Sequence, residues 1–130
     1  VFGAEPASLP RYSASLQAGK PVTVERKATI ADALVTNIPG TVCFPYVASN
    51  TDAFADVDEE YILKGMKLLL LEGKLLCEPS SGISLGAVLQ GLIPVKATDK
   101  VCFFISGGSV SFDQLKILDN IMTTVAETAI

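Results

Sequence analysis

Val101-Cys102-Phe103-Phe104-Ile105-Ser106-Gly107-Gly108-Ser109, followed by Val110-Ser111-Phe112-Asp113-Gln114, is the stretch whose reading decides the fold. Its first five residues form an unbroken apolar run, the pattern of a strand covered on both faces in a parallel sheet. Ser106–Ser109 follows at once as a glycine-rich turn. Ser111 with Gln114 three positions later then predicts a capping box. It opens a helix carrying Phe112, Leu115, Leu118, Met122 and Val125, with the last few residues of the chain frayed. A buried strand, a short turn and a capped helix together make one α/β unit.

The same alternation runs back to the start of the chain. Val1–Ala4 reads as a strand ending at Glu5, because Pro6 cannot donate to a ladder. Ser8 is a candidate cap for a helix over Leu9–Ala18, with Pro10 in its first turn and Gly19 at its end. Pro21–Arg26 is extended. Thr29 then precedes Ile30, Ala31, Leu34 and Ile38, whose spacing predicts a helix closed by Pro39-Gly40. Thr41–Ser49 is apolar but contains Pro45, and its state stays open.

Asn50-Thr51-Asp52 is a turn signal. Ala53–Val57 alternates as a strand, with Phe54 and Asp56 on one face and Ala55 and Val57 on the other. Asp58 is a good N-cap, and Glu59 and Glu60 suit the positive end of the helix that follows. That helix buries Ile62, Met66, Leu69 and Leu70 and closes at Gly73. After Glu78-Pro79-Ser80-Ser81-Gly82, small residues predict a second, closely packed helix from Ile83 to Gln90. Strands alternating with helices imply an α/β fold, layered α/β/α around a mostly parallel sheet. The length of 130 residues allows one domain.

Composition narrows the function. Charged residues are 18% of the chain against 49% hydrophobic. The charge is below the roughly 25% of a typical soluble domain, so part of the surface is expected to be covered by other polypeptide. No apolar run reaches the roughly 18 residues of a membrane span. The first residue is Val1, and Val1–Ala4 reads as a strand with no signal-peptide pattern, so the chain is expected to begin inside a fold. The net charge of −4 and the lack of a basic cluster exclude nucleic-acid binding. With no histidine, serine–histidine and cysteine–histidine nucleophile systems are excluded. Cys43, Cys77 and Cys102 each have apolar neighbours and are expected to be buried, reduced thiols.

Ligands in open α/β sheets bind beyond the carboxyl ends of strands. Glu5 and Ser106–Ser109 occupy such positions. The glycine pair lets backbone approach a ligand closely, and a plain strand-to-helix turn would use the same residues. Glu78 reads either as half buried beside a ligand or as solvated. Asp32, a poor helix former inside a helical pattern, is either a surface charge or a residue held for a ligand.

In order, the segments VFGAEP (1–6), TIADA (29–33), Pro39-Gly40, DVDEE (56–60), LCEPSSG (76–82) and VCFFISGGSV (101–110) resemble the second half of the catalytic domain of serine/threonine dehydratases. These are pyridoxal 5'-phosphate (PLP) enzymes of the tryptophan-synthase-β fold type, with serine racemase a close relative. The resemblance covers nearly the whole chain. It implies that residues 1–130 are the C-terminal part of one such catalytic domain. The N-terminal half, with the cofactor lysine and the glycine-rich phosphate loop, is absent. Lys20, Lys64 and Lys100 sit in no matching context, so no residue here is implied to be the Schiff-base lysine.

The resemblance also implies roles. Ser106 and Gly107 match the Ser-Gly-Gly segment whose serine hydrogen-bonds the pyridine nitrogen. Glu78 matches a glutamate near the cofactor, and Ala33 stands where a glycine normally packs against it. Asp32 matches an aspartate of the substrate pocket. The implied reaction removes water from serine or threonine by β-elimination, and the product hydrolyses to a 2-oxo acid and ammonia. Metal-activated relatives bind a cation through a glutamate and an acidic residue six positions later. These positions are Glu5 and Arg11; Glu5 could serve such a site but Arg11 cannot ligate a metal, and its guanidinium either pairs with Glu5 in place of the cation or is solvated.

The implied partners are the remainder of the catalytic domain, an amino-acid substrate and a second copy in a homodimer, in the cytoplasm. Serine racemase and a non-catalytic α/β binding module remain the alternatives.

Overall fold

The computed structural model describes residues 1–122. Strand β1 (Phe2–Pro6) and strand β2 (Ala53–Val57) pair in parallel, with Gly3 opposite Phe54 and Glu5 opposite Asp56. Between them lie α1 (Arg11–Ala18), a single 3-10 turn at Asp32–Leu34 and α2 (Phe44–Asn50). After β2 come α3 (Glu59–Leu71), α4 (Pro79–Leu89), α5 (Phe112–Ile117) and a 3-10 turn at Leu118–Asn120.

The alternation read in β2 is what makes the layers. Ala55 and Val57 face a core with Ile62 of α3 and Ile83 and Ala87 of α4. On the opposite face, Phe54 stacks on Tyr12 of α1 with ring centroids 4.8 Å apart, and Ser13 donates to Asp56 Oδ1 at 2.6 Å. Phe54 lies across Gly3 so closely that a Cβ there would enter its ring. Helices thus cover both faces of the parallel pair, the expected α/β/α arrangement.

α3 and α4 meet backbone to backbone. A Cβ on Gly86 would lie 2.5 Å from Tyr61 O, and one on Gly82 would lie 2.8 Å from the Met66 nitrogen. Gly65 faces Gly82 and Gly86 in the same seam. A second core cluster joins Leu63, Met66, Cys77 and Leu118. Lys67 closes the end of this cluster by donating to the carbonyls of Leu118 and Ile121, each at 2.8 Å.

Several expectations need correction. Ser8 does not cap α1; its hydroxyl reaches Glu59, and the first free N–H groups of α1 go to Glu5. The helix read over Ile30–Ile38 is only the turn Asp32–Leu34. Its backbone is instead held by other elements: Ile30 N–H donates to Glu59, and Asn37 O accepts from Val24 N–H. Thr41–Ser49 resolves as the helix α2, with Pro45 tolerated in its first turn. α4 begins at Pro79 rather than Ile83, since Glu78 takes the N-cap position and proline suits the first helical residue.

Val101–Ile105 is not part of a sheet. A strand needs a neighbour for its ladder, and the described residues place none beside it. Val101 and Phe104 are exposed. Val101–Phe104, together with Val1 and with Phe2 and Ala4 of β1, line an apolar groove of 560 Å³. The capping box at Ser111 and Gln114 is present; of the apolar stripe read for that helix, Leu118 is buried in the second cluster and Leu115 packs against it, while Phe112 and Met122 are exposed. Val125 and the frayed end lie outside the described residues. Of the three thiols only Cys77 is buried; Cys43 and Cys102 are exposed, because their apolar neighbours flank them in sequence without covering them.

Candidate functional site

The first turn of α4 is the hub of the site. Glu78, at its N-cap, has extended backbone that turns its own N–H outward to Gly107 O at 3.1 Å. Its carboxylate receives the Ser109 N–H at 3.2 Å. That carboxylate lies against Gly107, where a Cβ would come 2.6 Å from Glu78 Oε2. Glycine at 107 therefore lets the carboxylate lie directly against the loop, and a Cβ there would push the end of the Glu78 side chain aside.

Ser81, three residues further into α4, is 2% exposed. Its Oγ accepts the Ser106 N–H at 3.2 Å and the Gly107 N–H at 3.0 Å, and stands 3.4 Å from Ser106 Oγ. Ser106 itself is exposed. On the other side of the same helix end, Ser80 Oγ accepts the Ala33 N–H at 3.1 Å, which brings in the turn containing the exposed Asp32 and Ala33.

The tertiary structure thus gathers Asp32, Ala33, Glu78, Ser106 and Gly107 around one helix end. Sequence reading missed Ser80 and Ser81, which anchor the two flanking loops. With the helix taken to start at Ile83, both serines looked like turn residues. The signal that could have found them is Pro79, a residue favoured at the first helical position, directly after a capable N-cap carboxylate.

Glu5 and Arg11 do not join this group. Glu5 is 1% exposed, and its two carboxylate oxygens take the N–H groups of Tyr12 at 2.9 Å and Ser13 at 2.8 Å. Burial raises its pKa above the ordinary 4.5, and the two helix N–H donors oppose that rise; the Asp56 charge raises it further and Arg11 lowers it least of all. Arg11 sends Nη1 to Leu34 O at 2.8 Å, tying α1 to the Asp32 turn. In place of a Glu5–Arg11 ion pair there is therefore a carboxylate-capped helix, where partial positive charge is already available. Among the described residues, no three His, Cys, Asp or Glu side chains gather as a metal site.

Burial, and then the charge of Glu78, raise the Cys77 thiol pKa, so this cysteine is a packed neutral group. No lysine among the described residues hydrogen-bonds to the 106–109 loop. Lys64 pairs with Glu60 and Lys67 with carbonyls on the far side of α3.

Comparison with known proteins bears on the same residues. A family described as pyridoxal-phosphate dependent enzyme matches residues 1–107. The chain is 32% identical over 120 residues to an L-threonine ammonia-lyase of Thermotoga maritima, covering 92% of this chain and 29% of that protein. It is 37% identical over 123 residues to a serine racemase of Dictyostelium discoideum, covering 92% and 38%. The crystal structure of that organism's serine racemase superposes with a TM-score of 0.75 at 38% identity, over 85% of this chain and 35% of the other. Maize serine racemase superposes with a TM-score of 0.79 at 30% identity, over 89% and 36%. The chain spans about a third of the length of the relatives it matches. By the family match and by the layered parallel fold, the chain belongs to the pyridoxal-phosphate-dependent enzymes and forms part of their tryptophan-synthase-β-like domain.

Proposed function

We propose that this chain is the part of a serine/threonine ammonia-lyase that carries the ring-nitrogen contact of pyridoxal phosphate. The observation that supports it most is Ser106: an exposed hydroxyl directly after Val101–Ile105, on a loop bracketed from beneath by Glu78 and Ser81. These residues fit a flat heteroaromatic ring. Ser106 offers a hydroxyl, Gly107 has no side chain, and the Asp32–Ala33 turn borders the same helix end.

When bound, the cofactor supplies an electron-withdrawing ring that stabilises negative charge on the amino-acid α-carbon. Ser106 would hold the ring nitrogen by a neutral hydrogen bond. A hydroxyl does not keep a proton on that nitrogen as a carboxylate would, and the weaker electron demand suits loss of a β-hydroxyl over deeper carbanion chemistry. Glu78 would keep the loop in register, and Asp32 would border the amino-acid substrate.

The remainder of the catalytic domain, with the imine-forming lysine and the phosphate loop, is the partner we infer for the groove between β1 and Val101–Phe104. The exposed apolar side chains there and the third of the relatives' length that this chain spans support that inference. A homodimer and a cytoplasmic location belong to the same proposal, and the three unpaired cysteines are in keeping with a reducing compartment.

A serine racemase is the second reading, favoured by the 37% identity to the Dictyostelium discoideum protein. The test uses the whole protein that carries this chain, supplied with pyridoxal phosphate and L-serine or L-threonine. Formation of 2-oxo acid and ammonia supports the lyase. D-serine as the main product supports the racemase. No cofactor absorbance band at all would overturn both and favour a non-catalytic binding module.

A further inference from the structure

We propose that Ser81 is a positioning residue: its buried hydroxyl fixes the Ser106–Gly107 backbone and turns its own proton toward Ser106 Oγ, so that Ser106 presents its proton outward. The inference rests on the reading of Ser106 as the ring-nitrogen contact and adds what orients it.

The argument is one of donors and acceptors. A serine hydroxyl has two acceptor lone pairs and one donor proton. Both lone pairs of Ser81 are used, by Ser106 N–H at 3.2 Å and Gly107 N–H at 3.0 Å. Only its proton is left to place. Among the described residues the acceptor within reach is Ser106 Oγ, 3.4 Å away. That distance exceeds the optimum for an O–H···O bond, so the contact biases the Ser106 hydroxyl more than it locks it. The bias has one sense. Ser106 Oγ accepts from below, keeps its proton, and donates to whatever lies above.

A ring nitrogen meeting such a donor is favoured without a proton of its own. The sequence context fits, because Ser81 lies in α4, a helix rigidly seated on α3 through Gly82 and Gly86. A group on a rigid helix can set a loop hydroxyl more accurately than the loop could set itself.

The experiment compares the whole protein with its Ser81→Ala and Ser81→Thr variants. The first readout is amide hydrogen exchange of the cofactor-free form. Ser81→Ala is expected to lower protection of the Ser106 and Gly107 amides by about tenfold, the loss of one hydrogen bond each, while the Ser109 amide held by Glu78 keeps its protection. The second readout is the ¹⁵N chemical shift of bound ¹⁵N-labelled pyridoxal phosphate as a function of pH. The pH at which the ring nitrogen gains a proton is expected to rise by about half to one unit in Ser81→Ala, because the freed Ser106 oxygen can then accept. Ser81→Thr, which keeps the hydroxyl, is expected to restore both.

Unchanged exchange at Ser106 and Gly107, or an unchanged nitrogen titration in Ser81→Ala, overturns the role of Ser81. The Ser106→Ala variant separates the two levels. If it moves the nitrogen signal while Ser81→Ala does not, the ring-nitrogen reading stands and the Ser81 proposal falls. If neither moves it, the contact itself is wrong.

Discussion

Replacing Gly86 with alanine tests the seam on which the site rests. A Cβ at this position would sit 2.5 Å from Tyr61 O, 2.9 Å from Tyr61 C and 3.2 Å from Ile62 N, all backbone atoms of the facing helix or its first turn. No side-chain rotation relieves such a contact. To reach the 3.4 Å of ordinary packing, α3 and α4 must part by about 0.9 Å along the seam. Overpacking of this kind costs typically 1–3 kcal/mol, and a backbone-on-backbone clash belongs at the upper end, about 3 kcal/mol. Alanine returns about 1 kcal/mol of helix preference over glycine. The net destabilisation is therefore about 2 kcal/mol. In a cooperative unit larger than this chain, 1 kcal/mol shifts the midpoint by roughly 2–4 °C, so the midpoint of the whole protein is expected to fall by about 4–8 °C. Thermal unfolding followed by circular dichroism measures this directly. Gly40→Ala is the control, since its Cβ meets nothing within 4 Å and its backbone is not left-handed; it is expected to leave the midpoint unchanged or slightly higher. A Gly86→Ala protein that melts at or above the parent temperature would refute the close-packed seam and the rigidity inferred for α4.

Two further outcomes follow from buried titratable groups. Burial raises the Glu5 carboxyl above its ordinary 4.5, so between 4.5 and that raised value the folded chain binds more protons than the unfolded one. The stabilisation this provides is complete below pH 4.5 and is lost as pH rises through the folded value. Glu5→Gln is expected to flatten that segment of a stability–pH profile measured by urea unfolding, and an identical slope in both proteins would count against it. A disulfide reagent at pH 8 is expected to modify the exposed Cys43 quickly, and Cys77 only after denaturation, because burial and the nearby Glu78 charge hold its thiol neutral. Fast labelling of Cys77 in the folded protein would mean that the Leu63–Met66–Cys77 cluster is open.

Local pattern was enough for the elements whose stabilising groups lie within a few residues. The period-2 alternation of β2, the start of α3 directly after Asp58 and the Ser111–Gln114 capping box were all legible for that reason, although the Asp58 carboxylate accepts from Gln90 rather than capping α3. The residues proposed for the cofactor site were singled out only jointly, as motifs in order, since Asp32, Glu78 and Ser106 each admit a bland reading alone. Misreadings arose where a partner distant in sequence decides the outcome. The apolar spacing over Ile30–Ile38 looked helical, but Glu59 and Val24 hold parts of that segment's backbone. The apolar neighbours of Cys43 and Cys102 said nothing of what covers the thiols. The run Val101–Ile105 has the composition of a buried strand, yet hydrogen bonding along a strand is supplied by a neighbour, and composition cannot provide one.

By itself, then, the amino-acid order determined the layered α/β character, the family and the identity of the residues that converge. The α/β character follows from side-chain period and cap chemistry, which are local, and the family and its residues from the resemblance of motifs taken in order along the chain. The tertiary structure alone decided that Glu5 caps α1 instead of meeting Arg11, that three glycines let α3 and α4 touch, and that Ser81 lies beneath Ser106. Each of these depends on where two distant segments come within hydrogen-bond or van der Waals reach, a distance that no pattern along one segment encodes.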